Sequence, residues 1–104
     1  MAVEVVTDEN FETALKDNEK VVVKYFADWC GSCRLFAPKF RRLSEDDRFE
    51  GVTFLDVNAE KSPGARKLGE VSNLPTFAVF KNGELVESVA TSKEESVVGL
   101  IEKL

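Results

Sequence analysis

Two nearly unbroken apolar runs constrain this chain more than any other feature. Val21-Val22-Val23-Lys24-Tyr25-Phe26-Ala27 holds a single charge, and so does Val52-Thr53-Phe54-Leu55-Asp56-Val57. A strand with one wet face alternates apolar and polar residues. A continuous apolar run marks a strand covered on both faces, as in a parallel sheet layered with helices. A lone charge in such a strand is costly unless it is paired. Lys24 and Asp56 carry opposite signs, and neighbouring parallel strands would bring them together, so a buried or half-buried pair is expected. The alternative is that one or both sit at a strand end and reach water, which lysine does easily.

The remaining segments fit around those strands. Val3–Val6 reads as a short strand. Thr7-Asp8-Glu9-Asn10 offers caps and acids for a helix carrying Phe11, Ala14 and Leu15 and running to about Asp17. Leu35, Phe36, Phe40 and Leu43 mark a second helix that Pro38 should kink. Ser62-Pro63-Gly64 reads as a helix start capped by Ser62, with the helix ending near Gly69. Thr76–Phe80 and Leu85–Ala90 are strands joined by an Asn82-Gly83 hairpin turn. Thr91 or Ser92 would cap a last helix with Val97, Val98, Ile101 and Leu104 on its apolar stripe. The order β-α-β-α-β-α-β-β-α predicts right-handed parallel crossovers and an antiparallel edge, hence a mixed sheet with helices on both faces.

Chain length fits one domain, residues 1–104, and the formal net charge of −5 disfavours nucleic acid and anionic membranes as partners. No apolar run approaches the roughly 20 residues of a bilayer span. Met1-Ala2-Val3-Glu4-Val5-Val6 lacks the basic and apolar regions of a leader, so the chain is expected to be cytoplasmic.

Cys30 and Cys33 are the only cysteines, placed between the first apolar run and the second helix. Thiols in a reducing compartment are poor structural staples, and a loop this short constrains an unfolded chain little. Zinc needs four ligands, and two cysteines without a histidine cannot supply them in one chain; a metal or cluster shared between two chains is the alternative. Redox chemistry fits better. Cys30 falls at a helix N-terminus, where free amides and the helix dipole favour a thiolate. It would attack a substrate disulfide, and the more buried Cys33 would resolve the mixed disulfide. Gly31 would keep the turn compact, and Trp29 would give a flat apolar surface beside the nucleophile.

Phe26-Ala27-Asp28-Trp29-Cys30-Gly31-Ser32-Cys33, Ala37-Pro38, Leu74-Pro75-Thr76 and Phe80-Lys81-Asn82-Gly83 together resemble the thioredoxin family over essentially the whole chain. A C-x-x-C pair beside a βαβ pattern is a general redox signature for which thioredoxin is itself the reference case. The resemblance implies the thioredoxin fold, a central mixed five-stranded sheet flanked by four helices. It implies a cis bond before Pro75, backbone pairing of Asn73-Leu74 with an extended substrate, and a groove of Trp29, Leu74, Pro75 and the Ala90-Thr91 bend. It implies a monomer that reduces protein disulfides in electron transport and redox homeostasis. A thioredoxin reductase would recharge it, with no cofactor beyond the redox-active disulfide and no metal.

Four positions depart from the family. Ser32 stands where proline is usual, adding flexibility and a hydroxyl within reach of a sulfur, which predicts a less reducing pair. Lys24 and Asp56 occupy the places of a buried Asp and a Lys, so the charges are exchanged. In the family the buried Asp is thought to take the second cysteine's proton; here Asp56, or a neutral Lys24, would have to do so. Ala90 replaces a usual glycine and would narrow the groove. Other functions to weigh are a redox-silent binding or assembly module, which the intact Cys30, Cys33, Trp29 and Pro75 disfavour, and a disulfide isomerase or oxidase, which Ser32 keeps open. A glutaredoxin fits the motif and helix pattern less well.

Overall fold

The computed structural model describes residues 3–104; Met1 and Ala2, which belong to the stretch read for a leader, lie outside the described residues. Five strands form one sheet: β1 (Glu4–Val6), β2 (Lys20–Phe26), β3 (Val52–Asn58), β4 (Thr76–Lys81) and β5 (Glu84–Ala90), in the order β1-β3-β2-β4-β5. β1, β3 and β2 run parallel, whereas β4 and β5 are antiparallel to their neighbours. The helices are α1 (Phe11–Asp17), α2 (Gly31–Ser44), α3 (Pro63–Leu68) and α4 (Glu94–Ile101), with a short 3-10 turn at Asp47–Phe49.

The two apolar runs are the central strands, and side chains alternate across the sheet. Val21, Val23 and Tyr25 of β2 pack with Leu55, Val57 and the α1 residues Phe11 and Leu15. Val22 of β2 faces the other way, against Phe36 and Phe40 of α2 and Val97 and Ile101 of α4. Each central strand therefore has a helical layer on both faces, which is why neither alternates in polarity.

Several local expectations need correction. Val3 is not in β1. Leu35 lies on the outer face of α2, 78% exposed, while Phe36, Phe40 and Leu43 make the buried stripe. α2 runs for 14 residues with Pro38 inside it, as expected of the second helix. Ser62 precedes α3 but makes no side-chain cap. The cap comes from Asp8 instead, whose carboxylate accepts from the amides of Gly64 (3.0 Å) and Ala65 (2.8 Å). Asp8 thus serves a helix far downstream rather than the one it precedes. Neither Thr91 nor Ser92 caps α4; its flanking residue is Lys93, whose amide donates to Thr91 Oγ1 at 3.1 Å. Asn82 and Gly83 both have positive φ, 53° and 83°, as a tight hairpin turn of this type requires.

Gly69 ends α3 for a reason of space. Tyr25 reaches under it to donate its hydroxyl to the Ala65 carbonyl at 2.9 Å. A Cβ on Gly69 would lie 2.5 Å from that hydroxyl oxygen. Burial holds the Tyr25 hydroxyl far above the usual phenol range, so it acts only as a neutral donor.

Candidate active site

β2 ends at Phe26 and the chain turns directly into α2, which places Cys30 at the N-cap of that helix. Cys30 and Cys33 form a disulfide with their Cα atoms 5.3 Å apart. Cys30 Sγ accepts the Cys33 amide at 3.2 Å, and the Ser32 hydroxyl lies 3.6 Å from it. Those are the contacts a thiolate would use at this position, since an N-cap acceptor satisfies an otherwise unpaired helix amide. Both cysteines are buried, 4% exposed at Cys30 and 2% at Cys33.

Gly31 does not need to be glycine for space. A Cβ there would meet nothing within 4 Å, so compactness of the turn does not explain it. Trp29 is 65% exposed, and its indole Nε1 donates to Glu60 Oε2 at 2.7 Å. The loop bearing Glu60 is folded by Asn58 Oδ1, which accepts from the amides of Glu60 (3.1 Å) and Lys61 (3.3 Å). Lys61 in turn pairs with Asp28 at 3.7 Å. No spacing in the sequence links Glu60 to Trp29, since the contact depends on how the chain leaves β3.

The Leu74–Pro75 bond is cis. Pro75 is buried and Leu74 half-buried, packed with Ala27, Cys30 and Cys33. Asn73 is exposed, and its carbonyl accepts the Thr76 hydroxyl at 2.6 Å. Ala90 pairs with Thr76 across the β4–β5 ladder, and the Thr91 amide donates to the Pro75 carbonyl at 3.2 Å. The Ala90-Thr91 bend is therefore tied to Pro75, whose neighbour Leu74 packs against the cysteines.

Lys24 and Asp56 lie on the cleft that Cys33 also lines. Lys24 and Asp56 are directly opposite in the β2–β3 register. Lys24 Nζ sits 3.4 Å from Asp56 Oδ1, with the lysine side chain 5% exposed and the aspartate 22%. The contact is an ion pair and not a hydrogen bond: Oδ1 is sealed from solvent and accepts none from the protein among the described residues. The ammonium also rests 5.4 Å from the Phe40 ring centroid and 5.7 Å from that of Phe26, within cation–π range. Burial pushes the Asp56 carboxyl above its usual range, and the nearby Lys24 ammonium only partly offsets that rise. Lys24, Asp56, Cys33 and Arg34 line one cleft of about 210 Å³. The pair thus opens onto the same space as the second cysteine. Among the described residues no group of three or more His, Cys, Asp or Glu side chains is placed to hold a metal ion.

A disulfide pair at a helix N-terminus, with Leu74 of a cis Leu74–Pro75 bond packed against it on a mixed sheet, fits a thiol–disulfide oxidoreductase. The comparisons with known proteins identify which kind. The thioredoxin family model matches residues 2–103. Thioredoxin of Chlamydia trachomatis is 35% identical over 102 residues, 97% of each chain. A Plasmodium falciparum thioredoxin structure superposes with TM-score 0.88 at 30% identity, covering 97% of this chain and 98% of that one. The chain also superposes with TM-score 0.89 at 27% identity on a chain from the complex of ferredoxin:thioredoxin reductase with thioredoxin f2, covering 98% and 94%. It spans 53% of the length of thioredoxin-2 of Pyricularia oryzae and 14% of a peptide-N(4)-(N-acetyl-beta-glucosaminyl)asparagine amidase of Caenorhabditis briggsae. The chain belongs to the thioredoxin family.

Proposed function

We propose that this oxidoreductase is a reductant of protein disulfides in a reducing, cytoplasmic compartment, acting as a monomer. Cys30 is the nucleophile. Its thiolate attacks one sulfur of a substrate disulfide, that bond breaks, and the other substrate sulfur leaves as a thiolate and takes a proton. Cys33 then loses its proton and attacks Cys30 Sγ, which frees the second substrate thiolate and forms the Cys30–Cys33 disulfide. Two electrons pass to the substrate; of the two protons its thiols take up, one comes from Cys33 and the other from solvent, since Cys30 reacts as the thiolate. A thioredoxin reductase restores the dithiol; the reductase complex of the related thioredoxin f2 supports a partner of that kind. Asp56 takes the Cys33 proton across the cleft they share, and Lys24 holds the carboxylate in place. Trp29, Asn73, Leu74, Pro75, Ala90 and Thr91 form the groove that seats the substrate chain.

The observation that carries this reading is Cys30 Sγ at the N-cap of α2, accepting the Cys33 amide. The test is reduction of insulin driven by dithiothreitol. Acceleration that disappears in Cys30→Ser is expected. A chain that gives no acceleration at all would instead be a thioredoxin-fold binding module. The Ser32 hydroxyl beside Cys30 Sγ favours one second reading, an isomerase or oxidase, because a donor to the thiolate stabilises the reduced form and makes the pair more oxidising.

A further inference from the structure

The outer face of α2 carries positive charge, most of which the redox chemistry does not use. The helix contains Arg34, Lys39, Arg41 and Arg42 and no acidic residue. The whole chain has net charge −5, so the other ninety residues together carry −9. All four cations are exposed, as are Leu35 and Pro38 on the same side. At 100° per residue these six positions fill one arc, with Leu35, Pro38 and Arg42 at its centre. None of the four cations is in an ion pair among the described residues, although Glu45, Asp46 and Asp47 follow immediately. Asp46 is committed to Arg48 at 2.9 Å.

The stripe begins at the disulfide, because Cys30 is the N-cap of the same helix. Beyond the helix the charges near the disulfide are mixed: Asp28 pairs with Lys61 at 3.7 Å, and Glu60 holds the Trp29 indole. The reactive sulfurs therefore sit where a positive face meets a surface of mixed charge. A uniform surface would accept a disulfide in any rotation, whereas this one distinguishes the two ends of a partner.

We infer that the outer face of α2 is a docking surface for a protein that presents acidic residues on one side of its disulfide, with an apolar contact for Leu35. This deepens the proposed reduction of protein disulfides and rests on it. An acidic protein fits better than a nucleic acid, since the phosphate backbone would meet the −9 of the remaining chain while gaining only one helix face. Complementary charge acts chiefly on the rate of encounter, and it weakens as salt shortens the screening length from about 30 Å near 0.01 M to about 3 Å near 1 M.

The experiment uses two cyclic disulfide peptides of one sequence, differing only in Glu or Gln at the flanking positions, with dithiothreitol as electron donor. The quantity measured is the ratio of their kcat/KM values. The Glu peptide is expected to be preferred about tenfold near 0.01 M salt and less than about twofold near 1 M. In Lys39→Glu/Arg42→Glu the ratio should fall to one or invert. These residues lie roughly 13 and 18 Å along the helix from Cys30, and the Gln peptide reports any change in the thiols themselves. Circular dichroism checks that the variant is folded. A ratio near one at low salt, or a preference that survives both salt and charge reversal, overturns the inference while leaving the redox reading intact. Salt-sensitive binding of a DNA duplex with no preference between peptides overturns it in favour of a nucleic acid. Failure to reduce either peptide removes the redox reading and this inference together.

Discussion

Replacing Lys24 by methionine removes the ammonium and keeps most of the side-chain volume, so its effect isolates the ion pair. At 3.4 Å and an effective dielectric near 20 the attraction is about 5 kcal/mol. The observed cost will be smaller, because Asp56 need not stay charged once its partner is gone. Protonating a carboxyl of ordinary pKa near 4 at neutral pH costs about 4 kcal/mol, at 1.36 kcal/mol per unit, which is a ceiling for the penalty. Asp56 already lies above that range because burial outweighs Lys24, which lowers the ceiling further. Lys24→Met should therefore cost about 3 kcal/mol near pH 7, within the usual range for breaking a buried pair. For a chain of this size that is a fall in Tm of roughly 12–15 °C. Since the folded carboxyl titrates above its unfolded value, its favourable contribution is complete below the unfolded pKa. That contribution is lost as pH rises through the folded pKa. Removing Lys24 raises the folded value further and deepens the loss. The variant should thus be nearly as stable as the parent near pH 4 and fall behind as pH rises. Urea unfolding followed by circular dichroism from about pH 4 to 8 measures this, with Asp56→Asn and the double variant completing the cycle. A coupling energy of about 2 kcal/mol is expected near neutrality. Additive losses, or a penalty for Lys24→Met that does not change with pH, would refute the claim that the pair interacts in a desolvated site.

Four further outcomes follow from individual contacts. Lys24→Ala should slow the attack of Cys33 on the mixed disulfide more than it slows substrate binding; stopped-flow reduction of a model disulfide with unaltered rates at every pH would take Lys24 out of the mechanism. Ser32→Pro should make the pair more reducing by about 30 mV, equivalent to roughly 1.4 kcal/mol, when equilibrated against glutathione; an unchanged potential would exclude the hydroxyl as a tuning group. Asp8→Ala removes the acceptor for the Gly64 and Ala65 amides and should cost about 1 kcal/mol in urea unfolding, whereas Ser62→Ala should not act through a cap. Gly69→Ala forces a methyl against the buried Tyr25 hydroxyl and should cost about 1–3 kcal/mol, much of it recovered in Tyr25→Phe/Gly69→Ala if the oxygen is the obstacle.

The features legible in the sequence were those set by neighbours along the chain. The apolar runs became β2 and β3, the Asn82-Gly83 turn formed with both φ values positive, and the cysteines fell at a strand-to-helix junction. The Lys24–Asp56 contact was also legible, since two lone opposite charges in adjacent parallel strands leave few other arrangements. The misses have a common cause. Asp8 caps α3 instead of α1, and Glu60 binds Trp29 from another loop, because each depends on distant segments meeting in space. Leu35 has the residue type of a core position, but Phe36 and Phe40 claim the buried arc of α2 and leave it outside.

The same helix shows how one sequence element can serve both the reaction and its surroundings. Its inward stripe anchors the sheet through Phe36 and Phe40, and Phe40 also supports the Lys24 ammonium. Its N-terminal amide reaches Cys30 Sγ. Its outer face carries four cations. Three positive groups favour negative charge at or near the sulfurs: the helix end from within one turn, Lys24 from the adjoining strand, and Arg34 from the cleft wall. Asp56 is the opposing charge paired with Lys24, and burial already drives it toward its neutral form. The β2 member of the pair therefore matters most to the sulfurs. A cation on β2 assists the formation of thiolates above it, where a carboxylate at the same place would resist it. The charges around the sulfurs thus favour ionising a thiol, and Asp56 across the shared cleft is the buried acceptor proposed for its proton.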